Sequence, residues 1–312
     1  IGMGGAGFPT HVKLSPPPEK KIDTLIINGA ECEPYLTADY RLMLECADEI
    51  RQGVEIIMRL LQPDNVRIAV EDNKPDAVQA MEKAFSGLDC DVEVVVLDTR
   101  YPQGAEKQLI CVVTGREVPS GGLPMDVGVL VQNVGTAAAV RDAVIDGKPL
   151  YERIVTVTGS PVAKPSNFKA RIGTPASFLI EQCGGLKTAA DKLIFGGPMM
   201  GFAQSSSDMP VTKTSSGIVL LSPDEMEFFT GDTCISCGRC VEVCPARLMP
   251  CFISRAVEAG DYEFAEEYSV MDCVECGSCA FVCPAHRPMV QHMRRGKAEA
   301  AARAKEEESK QK

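Results

Sequence analysis

The stretch that decides the fold of the carboxyl-terminal part is Cys234–Pro245, CISCGRCVEVCP, repeated as CVECGSCAFVCP at Cys273–Pro284. Both copies follow the pattern C-x2-C-x2-C-x3-C-P, a spacing that suits a cubane [4Fe-4S] cluster. Three turn-spaced thiolates wrap one face of a cube, and the fourth cysteine of the run reaches across to the other cluster. The spacing therefore predicts one cluster on Cys234, Cys237, Cys240 and Cys283, and another on Cys273, Cys276, Cys279 and Cys244.

Zinc ribbons and disulfides are the alternative uses of so many cysteines. A zinc ribbon uses paired cysteines, whereas each run here has four cysteines and a trailing proline. Metal-bound thiolates indicate a reducing compartment, because an oxidising one favours disulfides. The other cysteines are scattered and are interpreted as ordinary buried thiols: Cys32, Cys46, Cys90, Cys111, Cys183 and Cys251.

The segment between the two runs is 28 residues long and has two helical patterns, near Met249–Glu258 and Tyr262–Glu267. An insert of this size favours a mainly α-helical 2x[4Fe-4S] ferredoxin-type domain over residues 224–296. Residues 297–312 are rich in Ala, Lys and Glu, which predicts a charged helical tail.

Upstream, residues 1–147 alternate strand and helix patterns, which indicates a layered α/β domain. We expect one long helix over Arg41–Leu61, from its 3.6-residue apolar period, and a strand buried on both faces at Val92–Leu97. Residues 148–223 have a different pattern of predicted elements, with a strand, a hairpin partner, a helix and further strands. They predict a compact β-grasp-like domain followed by a linker.

Charge and hydropathy exclude several classes of protein. The net charge of −11 argues against a nucleic-acid partner, whose phosphates require a basic surface. No uncharged apolar run of about 18 residues occurs, so no transmembrane segment is expected. The glycine-rich start is unlike a secretory signal peptide. Because a phosphate loop normally follows a strand, we expect a further segment upstream.

That start, Gly2–Lys13 (GMGGAGFPTHVK), is the second distinctive stretch. Glycines let the backbone approach a phosphate and present N–H donors to it, and Lys13 can neutralise its charge. Spacing alone leaves two interpretations open, a phosphate loop and a simple turn.

Three short motifs carry a family resemblance. Gly2–Lys13 resembles the flavin-binding loop of the NADH-oxidising flavoprotein subunit of respiratory complex I. Asn28–Pro34 (NGAECEP) resembles its acidic turn, and Val131–Thr136 (VQNVGT) resembles a flavin-contacting turn. With a ubiquitin-like (SLBB-type) middle and a double-cubane end, the order of parts is similar to the C subunit of Rnf-type ion-translocating electron-transport complexes. The cobalamin-reductase flavoprotein of propanediol-utilisation compartments is built similarly and is the rival resemblance.

The resemblance implies non-covalent FMN as cofactor and NAD(H) as substrate. The residues implied to contact FMN are Gly2, Gly4, Gly5, Lys13, Asn28, Glu106, Asn133 and Thr136. Glu31 and Glu33 would face the nicotinamide nucleotide as the catalytic pair, with Phe8 stacking on one of its rings. The departures of this sequence from the complex I pattern are expected to change the reduction potential of the flavin and the affinity for NADH. They lie at Met3, Ala30, Ala105, Gln132 and Gly135.

The implied function is that of an NADH-linked flavin and iron–sulfur oxidoreductase subunit. Electrons would pass between NAD(H), FMN and both clusters, and then to or from membrane partner subunits at the cytoplasmic face. The whole complex would couple the redox chemistry of ferredoxin and NAD to translocation of Na+ or H+. Ferredoxin would thus be an indirect partner of this chain. Two alternatives stay open: a soluble reductase such as a cobalamin reductase, and an electron-wire or assembly subunit that holds no flavin.

Overall fold

The computed structural model describes residues 1–88, 91–226 and 228–310. Cys90, one of the cysteines interpreted as a buried thiol, lies outside the described residues. The chain divides into two compact units, Ile1–Glu225 and Met226–Lys312. Within the described ranges, no helix is long and apolar enough to cross a membrane.

The first unit begins with a parallel sheet of four strands in the order β3-β2-β1-β4. The strands are β1 (Thr24–Asn28), β2 (Asn65–Glu71), β3 (Val92–Leu97) and β4 (Val129–Asn133). Apolar side chains of the central strand β1 alternate between two cores, with Leu25 and Ile27 on one face and Ile26 on the other. Burial on both faces explains why this strand is a continuous apolar run.

Helices cover both faces of this sheet. They are α1 (Thr10–Lys13), α2 (Ala38–Glu45), α3 (Ala47–Leu61), α4 (Pro75–Phe85), α5 (Glu106–Thr114) and α6 (Val134–Ile145). Helices α2, α3, α4 and α6 share the larger core, whereas α5 packs through Leu109 and Ile110 on the opposite face. The predicted α/β layer arrangement is therefore confirmed.

The expectation of one helix over Arg41–Leu61 is wrong. Cys46 has φ −131° and ψ 36°, which is outside the helical range, so the backbone breaks there into α2 and α3. Asp48 and Glu49 lie in the first turn of α3, where acidic side chains favour a new helix start. The apolar period continues across the break because both helices face the same core.

The expectation that Val92–Leu97 is buried on both faces is also wrong. This segment forms β3, which is the edge strand and pairs only with β2 among the described strands. Val96 is 53% exposed, and most of the strand is half-buried. An apolar run by itself does not distinguish a central strand from an edge strand.

A second sheet of five strands completes the first unit, in the order β6-β5-β9-β7-β8. Its elements are β5 (Glu152–Thr158), β6 (Ser166–Arg171), α7 (Ala176–Gln182), β7 (Lys192–Phe195), β8 (Phe202–Gln204) and β9 (Gly217–Leu221). β5 pairs in parallel with β9, and α7 packs on one face through Leu179 and Ile180. This is the predicted β-grasp-like arrangement, with β8 as a strand the sequence did not predict.

The second unit has helices and no strand among its described residues, which agrees with the predicted mainly α-helical domain. Its helices are α8 (Arg239–Glu242), α9 (Pro250–Ala259), α10 (Tyr262–Glu267), α11 (Ser278–Phe281) and α12 (Met289–Lys310). Ile253, Val257 and Met293 join α9 to α12 in its main core. α12 runs through most of the predicted tail, where Ala300 is buried and Arg303 pairs with Glu263.

Close packing of α3 on α6 generates a stability prediction at Gly53. A Cβ atom at this position would overlap the carbonyl group of Ala137 on α6. Helix propensity favours alanine over glycine by about 1 kcal/mol, whereas overpacking costs about 1–3 kcal/mol. We expect Gly53→Ala to lower the urea midpoint of the first unit, measured by circular dichroism.

Leu60→Ala is the matched control, because Leu60 lies on the same helix and is 61% exposed. It should change the unfolding free energy by less than about 0.5 kcal/mol. A Gly53→Ala protein as stable as the wild type would contradict the close helix contact.

Candidate functional site

The first site lies where the parallel sheet changes direction. The chain leaves β1 toward β2 on one side, and β4 pairs with β1 on the other. Such a switch point opens a crevice at the carboxyl ends of the strands, where ligands of α/β folds bind. Asn28 ends β1 and Asn133 ends β4, and the two residues are paired in register. The structure therefore brings two predicted flavin contacts to the edges of one crevice.

The glycine loop packs directly on the end of β4. Gly2 N–H donates to the Phe8 carbonyl at 2.8 Å, which closes the loop, and Met3 N–H donates to Thr136 Oγ1 at 2.9 Å. Gly4 has φ +76°, and a Cβ there would lie 2.7 Å from the Asn133 side-chain nitrogen. Only glycine fits this approach, so the loop and the predicted asparagine turn form one structure.

Asn133 organises the start of α6. Its Oδ1 accepts the N–H of Gly135 at 2.8 Å, as an N-cap does, and its Nδ2 donates to Asp39 Oδ2 at 2.7 Å. One amide thus connects the helix start, the glycine loop and an acidic residue of α2.

Three buried side-chain atoms have no hydrogen-bond partner within the described residues: Thr10 Oγ1, Glu71 Oε1 and Gln132 Nε2. A Cβ at Gly2 would lie 4.0 Å from Thr10 Oγ1, so this hydroxyl adjoins the glycine loop. Buried polar atoms without partners are rare and call for an explanation. A phosphate at the glycine loop, such as that of FMN, would supply a partner for the Thr10 hydroxyl.

The remaining predicted flavin contacts lie around the same loop. Lys13 at the end of α1 forms an ion pair with Glu106, the first residue of α5. Asn28 donates to the Gly104 carbonyl and accepts from Ala30 N–H, both at 3.0 Å. At Gly5, a Cβ would meet nothing within 4 Å, so that side of the loop is open. Phe8 is 54% exposed and is not part of a core.

Glu31 and Glu33, the predicted catalytic pair, make separate contacts. Glu31 accepts the N–H groups of Asp39 at 3.0 Å and Tyr40 at 3.1 Å, which stabilises the start of α2. Burial, together with the nearby Asp39 carboxylate, raises the pKa of Glu31 to about 7. Burial likewise raises the pKa of Asp39, against the hydrogen bond from Asn133.

Glu33 instead contacts the second sheet. Its carboxylate accepts the N–H groups of Met199 at 3.1 Å and Met200 at 2.8 Å, in the turn between β7 and β8. A Cβ on Gly197 would overlap this carboxylate, so the turn closes tightly around it. The structure does not bring the Glu31 and Glu33 carboxylates to a common contact, and their role toward a nicotinamide stays a prediction.

Cys32 lies between these glutamates. Burial raises the pKa of Cys32 to about 11, with smaller contributions from Glu71 and Glu33. Burial is the main cause of this raised pKa. A thiol held protonated in this way is a poor nucleophile.

The second unit contains two cavities lined by cysteines. One is lined by Cys234, Cys237, Cys240 and Cys283, and the other by Cys273, Cys276, Cys279 and Cys244. These groups have the composition that the cross-ligation scheme predicts. Each cavity thus contains the four sulfurs that a cubane requires, and the first cavity is also lined by Cys251.

The two cysteine runs also share a backbone conformation. Ser236 and Gly238 have φ +56° and +78° in the first run, and Glu275 and Gly277 have φ +55° and +82° at the same positions in the second. Left-handed residues next to right-handed ones turn successive N–H groups into a concavity that suits Fe–S clusters.

Several cysteine sulfurs in these cavities already accept hydrogen bonds. Leu248 N–H reaches Cys244 Sγ at 3.3 Å, and Glu275 N–H reaches Cys273 Sγ at 3.4 Å. N–H donors of this kind stabilise a thiolate. The donor set and its surroundings fit two [4Fe-4S] clusters.

Sequence reasoning missed three residues at these sites: Thr10, Asp39 and Cys251. The sequence predicts only an ordinary buried thiol at Cys251, but this residue lines the first cysteine cavity. Its position next to a proline that begins a helix gives no local signal. Thr10 could have been found as the hydroxyl that follows the glycine loop.

The raised pKa of Glu31 generates a prediction about pH. A carboxyl with a higher pKa in the folded state binds its proton more tightly there, so unfolding free energy falls as pH rises from about 4.5 to about 7. The limiting slope is about 1.4 kcal/mol per pH unit. Glu31→Gln should remove this part of the slope, measured as urea midpoints across that range.

Glu45→Gln is the control, since Glu45 is an exposed carboxylate of α2, the helix whose start Glu31 stabilises. Its slope should match that of the wild type. An unchanged slope in Glu31→Gln would show that Glu31 titrates normally in the folded protein.

Cross-ligation generates a second prediction. Cys244→Ser should damage the cluster held mainly by the second run, although Cys244 belongs to the first run in sequence. Iron content should fall while the electron paramagnetic resonance signal of the other cluster persists. Cys111→Ser, a change on α5 at a residue that lines neither cavity, should retain both signals. Damage confined to the cluster of the first run would rule out the cross-ligation.

Comparisons with known proteins assign each part of the chain. The profile of the Nuo51 FMN-binding domain matches residues 1–142, that of the SLBB domain residues 154–203, and that of the 4Fe-4S dicluster domain residues 226–284. An NAD+-reducing [NiFe]-hydrogenase, in its air-oxidized state, has the same fold over 94% of this chain and 60% of its own, with TM-score 0.64 and 17% identity.

Several relatives cover nearly the whole chain. It is 54% identical over 99% of its length to the C subunit of the proton-translocating ferredoxin:NAD(+) oxidoreductase complex of Clostridium ljungdahlii. It is 50% identical over 97% to the C subunit of the Na(+)-translocating complex of Acetobacterium woodii. The C subunit of the ion-translocating oxidoreductase complex of Pectobacterium atrosepticum is 50% identical over 96%.

The chain spans 68% of the first two relatives and 43% of the third. The Nuo51, SLBB and dicluster domains follow one another in the order that the sequence resemblance implied. The chain therefore belongs to the family of C subunits of ion-translocating ferredoxin:NAD(+) oxidoreductase complexes.

Proposed function

We propose that this chain is the subunit through which electrons enter or leave a membrane-associated ferredoxin:NAD+ oxidoreductase complex. It passes them between NAD(H), FMN and two [4Fe-4S] clusters, and exchanges them with membrane partner subunits. In the whole complex this traffic is coupled to translocation of Na+ or H+. The chain lies at the cytoplasmic face as a peripheral subunit.

One observation carries the proposal. The same chain has a closed glycine loop beside a switch-point crevice and two cavities, each lined by the four cysteines of one predicted cluster. FMN, when bound, exchanges two electrons with a nicotinamide and single electrons with a cluster. A polypeptide that holds both kinds of group can convert paired electrons into single ones.

The chain's own residues divide the work at the flavin. The open glycine loop and the partnerless Thr10 hydroxyl hold the phosphate, and Lys13 neutralises it while paired to Glu106. Asn133 and Thr136 keep the loop on the start of α6. These contacts hold FMN non-covalently.

Fewer residues are available to contact the nicotinamide nucleotide. Exposed Phe8 offers a ring for stacking at the loop, whereas Glu31 and Glu33 bond backbone groups of the protein. We propose that both carboxylates act on the nicotinamide nucleotide from these fixed positions. Departures from the complex I pattern, such as Met3 and Gly135, set the potential of the flavin.

Two other functions predict different behaviour. A soluble reductase such as a cobalamin reductase would bleach with NADH but would purify without membrane subunits. An electron wire or assembly subunit would have cluster signals and no flavin. Among the described residues, the Thr10 hydroxyl beside the glycine loop has no partner, which supports a chain that binds flavin.

Lys13→Ala tests the proposal with anaerobically purified protein. Wild-type protein should contain FMN and should lose flavin and cluster absorbance when NADH is added. Lys13→Ala should lose most of its FMN and the NADH response, and should keep its full iron content. The reason is that the phosphate would lose the charge-assisted bond that we propose Lys13 makes to it.

Lys21→Ala is the matched control, because Lys21 pairs with Asp64 on the surface away from the loop. It should retain FMN, iron and the response to NADH. Full FMN occupancy in Lys13→Ala would contradict the proposed role of Lys13 in binding the phosphate. Wild-type protein that contains no FMN would instead favour the electron-wire function.

A further inference from the structure

The first cysteine cavity contains a fifth cysteine that the cluster does not need. Cys251 lines it together with Cys234, Cys237, Cys240 and Cys283. A cubane has one cysteine ligand for each of its four irons, so the other four sulfurs complete the set. The Cys251 side chain packs against the small core formed by Cys240 and its neighbours.

The internal repeat shows what stands at the same place in the second cavity. Cys251 follows Cys244 by seven residues and is the second residue of α9, and Val290 follows Cys283 by seven residues and is the second residue of α12. Val290 lines the second cavity as Cys251 lines the first. At this position the two walls therefore differ by the thiol of Cys251 against the isopropyl group of Val290.

Cys251 is in direct contact with a predicted ligand. The Cys251 side chain packs in the same buried cluster as Cys240, and both residues line the same cavity. Cys240 is buried, at 6% exposure, so water does not compete strongly for its sulfur. Once Cys240 binds iron as a thiolate, the only hydrogen left between the two sulfurs is that of Cys251.

We propose that Cys251 is a positioning residue that donates an S–H hydrogen bond to Cys240 and raises the reduction potential of the first cluster. The inference depends on the proposed ligation of that cluster by Cys240. Reduction adds one electron and one negative charge to the cluster. A hydrogen bond to a ligand sulfur stabilises that added charge. No bond to iron forms or breaks, and the proton stays on Cys251.

The same reasoning makes the two clusters unequal. The first cavity has the added donor, and the second has Val290, which cannot donate. Gly238 corresponds to Gly277 and Pro284 to Pro245, whereas the walls also differ at Ser236 against Glu275 and at Met289 against Pro250. Among these differences, Cys251 is the one that adds a thiol packed against Cys240. The difference therefore favours an electron on the first cluster relative to a cavity that lacks the thiol.

Reciprocal variants test the inference by redox titration monitored by electron paramagnetic resonance. Cys251→Val, which copies the second cavity, should lower the potential of one cluster and leave the other unchanged. Val290→Cys, which copies the first cavity, should raise the potential of the other cluster. Cys251→Ser retains a donor and should restore the potential toward that of the wild type. Iron should stay at about eight atoms per chain in all three variants.

The outcomes separate this inference from the proposed function. Wild-type protein with fewer than two cluster signals would contradict the proposed ligation of two clusters. Two intact clusters with unchanged potentials in Cys251→Val would overturn the tuning role alone. Loss of iron in Cys251→Val and Cys251→Ser would also overturn it, because Cys251 would then be a ligand. If Cys251→Val fails to fold, Val290→Cys decides, since an unshifted second potential would contradict the inference.

Discussion

The parallel pairing of β4 with β1 is the constraint on which the flavin site depends. It places Asn133 opposite Asn28 at the carboxyl ends of the strands and starts α6 at the same point. The glycine loop can then approach the helix start, because Gly4 has no side chain to meet the Asn133 amide. A crevice with N–H donors and a helix start suits an anionic ligand. The departures from the complex I pattern lie around this frame without disrupting it.

A chain of polar contacts continues from this point into the rest of the first unit. Asn133 donates to Asp39, and Asp39 and Tyr40 offer N–H groups to Glu31. Two residues further on, Glu33 holds the turn between β7 and β8. The acidic turn therefore links the flavin crevice to the second sheet. A change in the protonation of Glu31 therefore affects a segment that contacts both the crevice and the second sheet.

The second unit repeats one solution to the problem of binding a cubane. Each run places left-handed residues at the same positions, and each cavity takes its fourth cysteine from the other run. The exchange of the fourth cysteine ties the two halves together, so neither cavity is complete alone. Within that symmetry, Cys251 in place of Val290 is one of the chemical differences between the two walls. Such differences around similar ligand sets separate the potentials of two clusters.

Most elements and the cysteine sets could be predicted from the sequence, because apolar period and ligand spacing are properties of neighbouring residues. The break at Cys46 and the edge position of β3 could not, since they depend on which surfaces pack together. The partners of Glu33 lie more than 160 residues away in the chain. The sequence by itself thus determined the kinds of site this protein carries. Tertiary structure alone decided that Asn133 holds the glycine loop and that Cys251 reaches a cluster cavity, because contacts between distant residues follow from packing and not from spacing.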